Sequence, residues 1–133
     1  MPEVFRYKPL RGRLSPMVTI GVKLGDTWYP TEAYVDSGAA YTVLRAALAE
    51  GVGFDYRAGN RIYVQVGDGS FIPIYLHDIE VQVGADRFVT KIAFSDKLGV
   101  TFHLLGRMGI FDRFKVCFND RQGVLTFEAL ASQ

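Results

Sequence analysis

Apolar residues at every second position mark most of this chain as strand. Val18, Ile20, Val22 and Leu24 alternate with Thr19, Gly21 and Lys23, the period of a half-buried strand whose successive side chains point to opposite faces. Gly25-Asp26 reads as a turn, and Trp28 to Val35 returns from it. Pro30 is confined to an edge or to the start of that strand, because it has no N–H to donate. Arg45 to Glu50 breaks the alternation with helix-forming residues and is closed by Gly51 and Gly53. Ile62 to Val66 and the long run Phe71 to Val83 read as the arms of a hairpin, with Gly67-Asp68-Gly69-Ser70 at its tip. Gly84-Ala85-Asp86 turns into a further strand, Arg87 to Phe94, and Phe102 to Leu105 is a last apolar burst. Gly109 to Phe114 is expected to form a short helix with Phe111 and Phe114 inward. A final hairpin runs from Lys115 to Phe118, turns over Asn119 to Gly123, and returns through Val124 to Phe127. The pattern predicts an all-β, mainly antiparallel fold with one or two short helices, in a single domain over residues 1–133.

Composition narrows the function classes. Hydrophobic residues make up 49% and charged residues 22% of 133 positions, enough apolar content for a packed core and against a disordered chain. Fifteen basic residues against fourteen acidic ones give a net charge of +1, and no basic run offers a surface for nucleic acid or an anionic membrane. The N-terminus lacks a basic segment followed by an apolar one, and no apolar run is long enough to span a bilayer. The expected setting is therefore the cytoplasm. Cys117 is the one cysteine; set between Val116 and Phe118, it is expected to be a buried, inert thiol. His77 and His103 have no metal-ligand spacing and are expected to be half-buried strand residues. Phe111, Phe114, Phe118 and Phe127 are candidates for core or interface, and no metal or cofactor is expected.

The chemistry concentrates at Ala33-Tyr34-Val35-Asp36-Ser37-Gly38-Ala39. An apolar strand runs into an acid, and a second apolar run, Thr42-Val43-Leu44, follows. Aspartate is a poor strand residue and is seldom buried without a partner, so its place there suggests a carboxylate held for chemistry. A strand-ending Asp-Ser-Gly turn is the competing reading of the tripeptide alone.

With the strands placed, the chain resembles the retroviral-type aspartic proteases, or retropepsins. Pro16-Met17-Val18-Thr19-Ile20 opens a hairpin leading to Asp36-Ser37-Gly38-Ala39, similar to the family's active-site loop. Val66-Gly67-Asp68-Gly69-Ser70 falls where the family carries its flexible flap, and Leu104-Leu105-Gly106-Arg107 resembles its apolar-apolar-Gly-Arg segment. These matches cover roughly residues 16–127, and their order is more specific than any one of them. The resemblance implies a retropepsin-like barrel and peptide-bond hydrolysis by two carboxylates about 3 Å apart that share one proton. The chain has one such motif, so the implied enzyme is a homodimer with Asp36 opposite its own image. Its other partner would be a peptide or protein substrate with mainly apolar residues near the cut.

The resemblance also distributes roles. Asp36 is the catalytic residue. Ser37, Gly38, Ala39 and Arg107 support the active-site loop, Arg107 as a buried guanidinium behind it. Val66, Gly67, Asp68, Gly69, Tyr41 and Val43 belong to the flap and substrate cleft. Two positions depart from the family: Ala40 stands where an acid usually pairs with the arginine, and Asp68 puts a carboxylate at the flap tip. With Asp112 or a backbone carbonyl as substitute partners of Arg107, these departures leave a second reading, a catalytically weak or inactive retropepsin-fold module for peptide binding or dimerisation.

Overall fold

The computed structural model describes residues 2–131. The alternating run from Val18 to Leu24 lies in β4 (Met17–Leu24), paired antiparallel with β5 (Thr27–Val35) from Met17↔Tyr34 to Leu24↔Thr27. Val18, Ile20, Val22 and Leu24 are buried in one core cluster, while Thr19 between them is exposed. Gly25, at φ +64°, makes the turn. Pro30 lies opposite Gly21, in the part of β5 that no further strand reaches.

Past β5 the chain forms β6 (Val43–Arg45) and α1 (Ala46–Gly51), which buries Ala46 and Ala49. A single helical turn, Tyr56–Ala58, leads into the hairpin of β7 (Asn60–Gln65) and β8 (Phe71–Val83). β9 (Asp86–Ser95) pairs back on β8, and β10 (His103–Leu105) follows. These strands make one sheet in the order β4-β5-β10-β6-β9-β8-β7, and a β4–β8 pairing at Gly21↔Gln82 and Val22↔Val81 joins its first strand to its last but one, closing a barrel. Most pairs are antiparallel. β10 is the exception that matters, running parallel to β5 and antiparallel to β6, inserted between them.

The C-terminal hairpin, β11 (Phe114–Asn119) and β12 (Val124–Ala129), forms a second sheet with β1 (Glu3–Arg6), in the order β1-β12-β11. Phe114, Leu125 and Phe127 enter the main core from one face of it. A small hairpin, β2 (Lys8–Leu10) and β3 (Arg13–Ser15), turns through Arg11 and Gly12, both with positive φ. These N-terminal strands carry no clear period-two signal in the sequence.

Two expectations are corrected here. The helix expected over Gly109 to Phe114 is instead one irregular turn at Arg107–Phe111, with Met108 and Gly109 in non-helical conformations. Gly109 has φ +84° and lies so close to Thr90 that a side chain would overlap its hydroxyl, which donates to the Gly109 carbonyl at 3.2 Å. Phe111 is half-buried on the turn, while Phe114 is buried as the first residue of β11. Cys117 is exposed rather than buried. β11 is an outer strand that turns Phe114 and Val116 toward the core, so period two sends Lys115 and Cys117 outward.

Candidate active site

Asp36 stands at the end of β5, where the chain must cross over β10 to reach β6. The loop from Asp36 to Thr42 makes that crossing, and backbone hydrogen bonds to the segment beneath hold it. Asp36 N–H donates to the Leu105 carbonyl at 2.9 Å, Arg107 N–H to that of Ala39 at 2.9 Å, and Met108 N–H to that of Ala40 at 2.9 Å. Gly106 N–H donates to Thr42 Oγ1 at 3.0 Å, a buried contact. Gly106 runs directly under the loop, and a Cβ there would overlap the Tyr41 carbonyl. The Leu-Leu-Gly segment thus has a steric reason to be glycine: the two backbones approach too closely for a side chain.

Within the loop the Asp36 carboxylate is half-buried and accepts the Gly38 N–H on Oδ1 at 2.8 Å. A Cβ on Gly38 would sit 3.2 Å from the same oxygen, so the small residue keeps this approach open. Ser37 is exposed. Arg107 is exposed too, and its guanidinium makes no ion pair among the described residues. The contact from this position to the loop is made by its main chain, and the side chain expected to be buried is exposed.

The hairpin of β7 and β8 faces the loop across an open cleft of about 430 Å3. Gly38, Ala39, Tyr41, Val43 and Val66 line it, and so do Ala40, Tyr63, Val64, Ile72, Leu98 and Leu104. Of the latter, Ala40 and Leu104 stand out in the sequence but not as cleft residues; for Val64 and Ile72 the signal was available, since both fall on the inward face of an alternating strand. At the hairpin tip, Gly69 has φ +88° and donates to the Val66 carbonyl at 2.9 Å. Asp68 accepts both the Ser70 hydroxyl, at 2.5 Å, and the Ser70 N–H, at 2.9 Å. The hydroxyl first and the amide second hold its carboxyl below the usual aspartate range. This carboxylate is engaged in building its own turn. Asp36 itself lines a different groove, of about 580 Å3, walled by the exposed Leu14 and Phe118 with Ser37 and Arg121.

No protein-family model matches the chain, and no curated protein matches it by sequence. Solved structures do match. A retropepsin-like aspartic protease from Rickettsia conorii superposes with a TM-score of 0.66 at 18% identity, covering 95% of this chain and 98% of that one. The chain has the retropepsin-like fold. EIAV protease complexed with the inhibitor HBY-793 agrees at a TM-score of 0.54 and 16% identity, over 75% of this chain and 88% of that one. At such identities the likeness is one of fold, and the retropepsin-like barrel is what brings the Asp36 loop, β10 and the glycine hairpin to one cleft.

Among the described residues no helix is long and apolar enough to cross a membrane. His77 and His103 are half-buried on strands, as expected. His77 Nε2 lies 2.6 Å from the Tyr56 carbonyl, and His103 Nδ1 accepts the Arg45 N–H at 2.9 Å. Both are therefore occupied in holding backbone.

Proposed function

We propose that this chain is one half of an aspartic endopeptidase, active as a homodimer and acting on extended, mainly apolar peptide segments. The observation that carries the reading is the setting of Asp36: a carboxylate at a strand end, oriented by the Gly38 N–H and lining an open groove, while Gly38 and Ala39 of the same loop line the cleft under the β7–β8 hairpin. One carboxylate cannot both take a proton from water and give one to the substrate in the same step. A second copy, seated against the groove that Leu14 and Phe118 wall, supplies the other. The ionised Asp36 takes a proton from the attacking water, and the protonated one polarises the carbonyl oxygen. Collapse of the tetrahedral intermediate then sends a proton to the leaving nitrogen. The β7–β8 hairpin serves as the flap that covers the peptide and excludes water.

The second reading, a binding module with little turnover, draws on Ala40 and Asp68. The Asp68 carboxylate is engaged with Ser70, which weakens that argument; Ala40 remains in its favour. Cleavage of a denatured-protein or peptide library with and without pepstatin separates the two. Asp36→Asn removes the proton exchange at nearly constant volume and is expected to lower turnover by about 10²-fold or more. Pepstatin-insensitive cleavage that persists in Asp36→Asn would exclude the aspartyl mechanism.

A further inference from the structure

Arg107 is left with its charge uncommitted beside the cleft. The loop above it is fastened by main-chain groups of residues 105–108 and by Thr42 Oγ1, so the guanidinium is not needed to hold it. Arg107 is exposed and, among the described residues, has no carboxylate within ion-pair distance. It lines a cavity of about 420 Å3 together with Ala40, Met108, Phe111 and Asp112. Ala40 also lines the main cleft, so the two spaces adjoin at this residue. A peptide leaving the cleft past Ala40 enters this cavity and meets a planar cation, with Met108 (42% exposed) and the half-buried Phe111 offering apolar surface for a side-chain stem.

We propose that Arg107 determines specificity at an outer subsite that takes an acidic side chain, aspartate or glutamate, of a peptide substrate. This rests on the endopeptidase reading above. A guanidinium presents a fork of donors that matches a carboxylate in bidentate geometry. An acid at position 40 would have competed for that fork; alanine leaves it to the ligand. Asp112 is the opposing charge. It stands on a rim shared with a neighbouring cavity that holds Arg87, Arg113 and Asp86, so across both spaces arginines outnumber aspartates and the local field favours an anion. Two-fold symmetry would repeat the subsite at both ends of the cleft, selecting acidic residues that flank an apolar centre.

The test uses peptides with one apolar core, flanked on each side by Glu, Gln or Lys several residues from the cut. The expected kcat/KM of the native protein is about fivefold higher for Glu than for Gln flanks, the size of a partly exposed ion pair. The advantage should shrink with added salt. Arg107→Gln should bring the Glu-to-Gln ratio to about one, and Asp112→Asn should widen it, changes that a merely structural role would not produce. Binding of the same labelled peptides to Asp36→Asn provides an arm independent of turnover. Cleavage or binding without a Glu preference, or a preference unchanged in Arg107→Gln, overturns the proposal and spares the endopeptidase reading. A Glu preference in binding without cleavage by the native protein does the reverse. Neither cleavage nor binding of any of the peptides overturns both.

Discussion

Gly67 and Gly69 flank the same carboxylate, yet the backbone makes different demands of them. Gly69 has φ +88°, a conformation that costs a residue with a side chain about 1–2 kcal/mol. Gly67 has no positive φ, and a Cβ built there would meet nothing within 4 Å. Gly69→Ala should therefore loosen the hairpin tip and lower the unfolding midpoint in urea, whereas Gly67→Ala should leave the midpoint nearly unchanged, altering stability by no more than about a few tenths of a kcal/mol. Equal midpoints for the two variants would show that the tip does not depend on the left-handed residue. The same distinction applies behind the active-site loop. At Gly106 the obstacle is the Tyr41 carbonyl rather than a torsion angle, so the pressure for glycine there is steric.

Between elements, a titratable contact joins β10 to the start of α1. His103 Nδ1 accepts the N–H of Arg45, the residue that precedes the helix. Burial first, and the Arg45 charge second, hold the imidazole below its usual value of 6.5. The folded state thus favours neutral histidine. Its contribution to stability is complete above that ordinary value and is lost as pH falls through the lowered one, because protonation leaves the Arg45 N–H without its acceptor. Urea unfolding of the native protein should weaken on acidification in this range, and His103→Gln, which keeps an acceptor and cannot charge, should show a flatter dependence. Parallel pH profiles for the two proteins would remove His103 from the account. The consequence for the proposed chemistry is direct: an acid-favouring dyad would work where this pin between β10 and α1 is weakest.

For the whole molecule, the proposed dimer must supply both a second carboxylate and cover for the outer strands. β1 and β11 are the two edges of the small sheet, and unpaired edges invite association. Val4 is 62% exposed and Phe118 39%, while Leu14, on the small N-terminal hairpin, is 63% exposed. A second copy that brings Asp36 against Asp36 would face repulsion when both are ionised and attraction when they share a proton. Specific activity should fall on dilution, and sedimentation should show Asp36→Asn dimers holding better than native ones at neutral pH, with the difference closing in acid. Undiminished activity in a strictly monomeric species, or identical pH dependence of the two dimers, would exclude this assembly.

Strand period and turn chemistry alone determined β4, β5, β8, β9 and the C-terminal hairpin, because alternation over six or more residues reports which face of a strand is buried. They also marked Asp36, since an acid ending an apolar strand stands out against its neighbours. Tertiary structure decided everything that depends on who pairs with whom. β6 and β10 have three residues each, too few to show a period, and the insertion of β10 between β5 and β6 is set by hydrogen bonds between positions far apart in the chain. β1 exists as a strand because β12 lies beside it. Cys117 faces solvent because its strand is an outer one, and main-chain groups hold the loop while the Arg107 guanidinium makes no ion pair among the described residues. Local sequence carries the periodicity of an element. The partner across the hydrogen bonds belongs to the assembled fold, and at this site those bonds place the carboxylate.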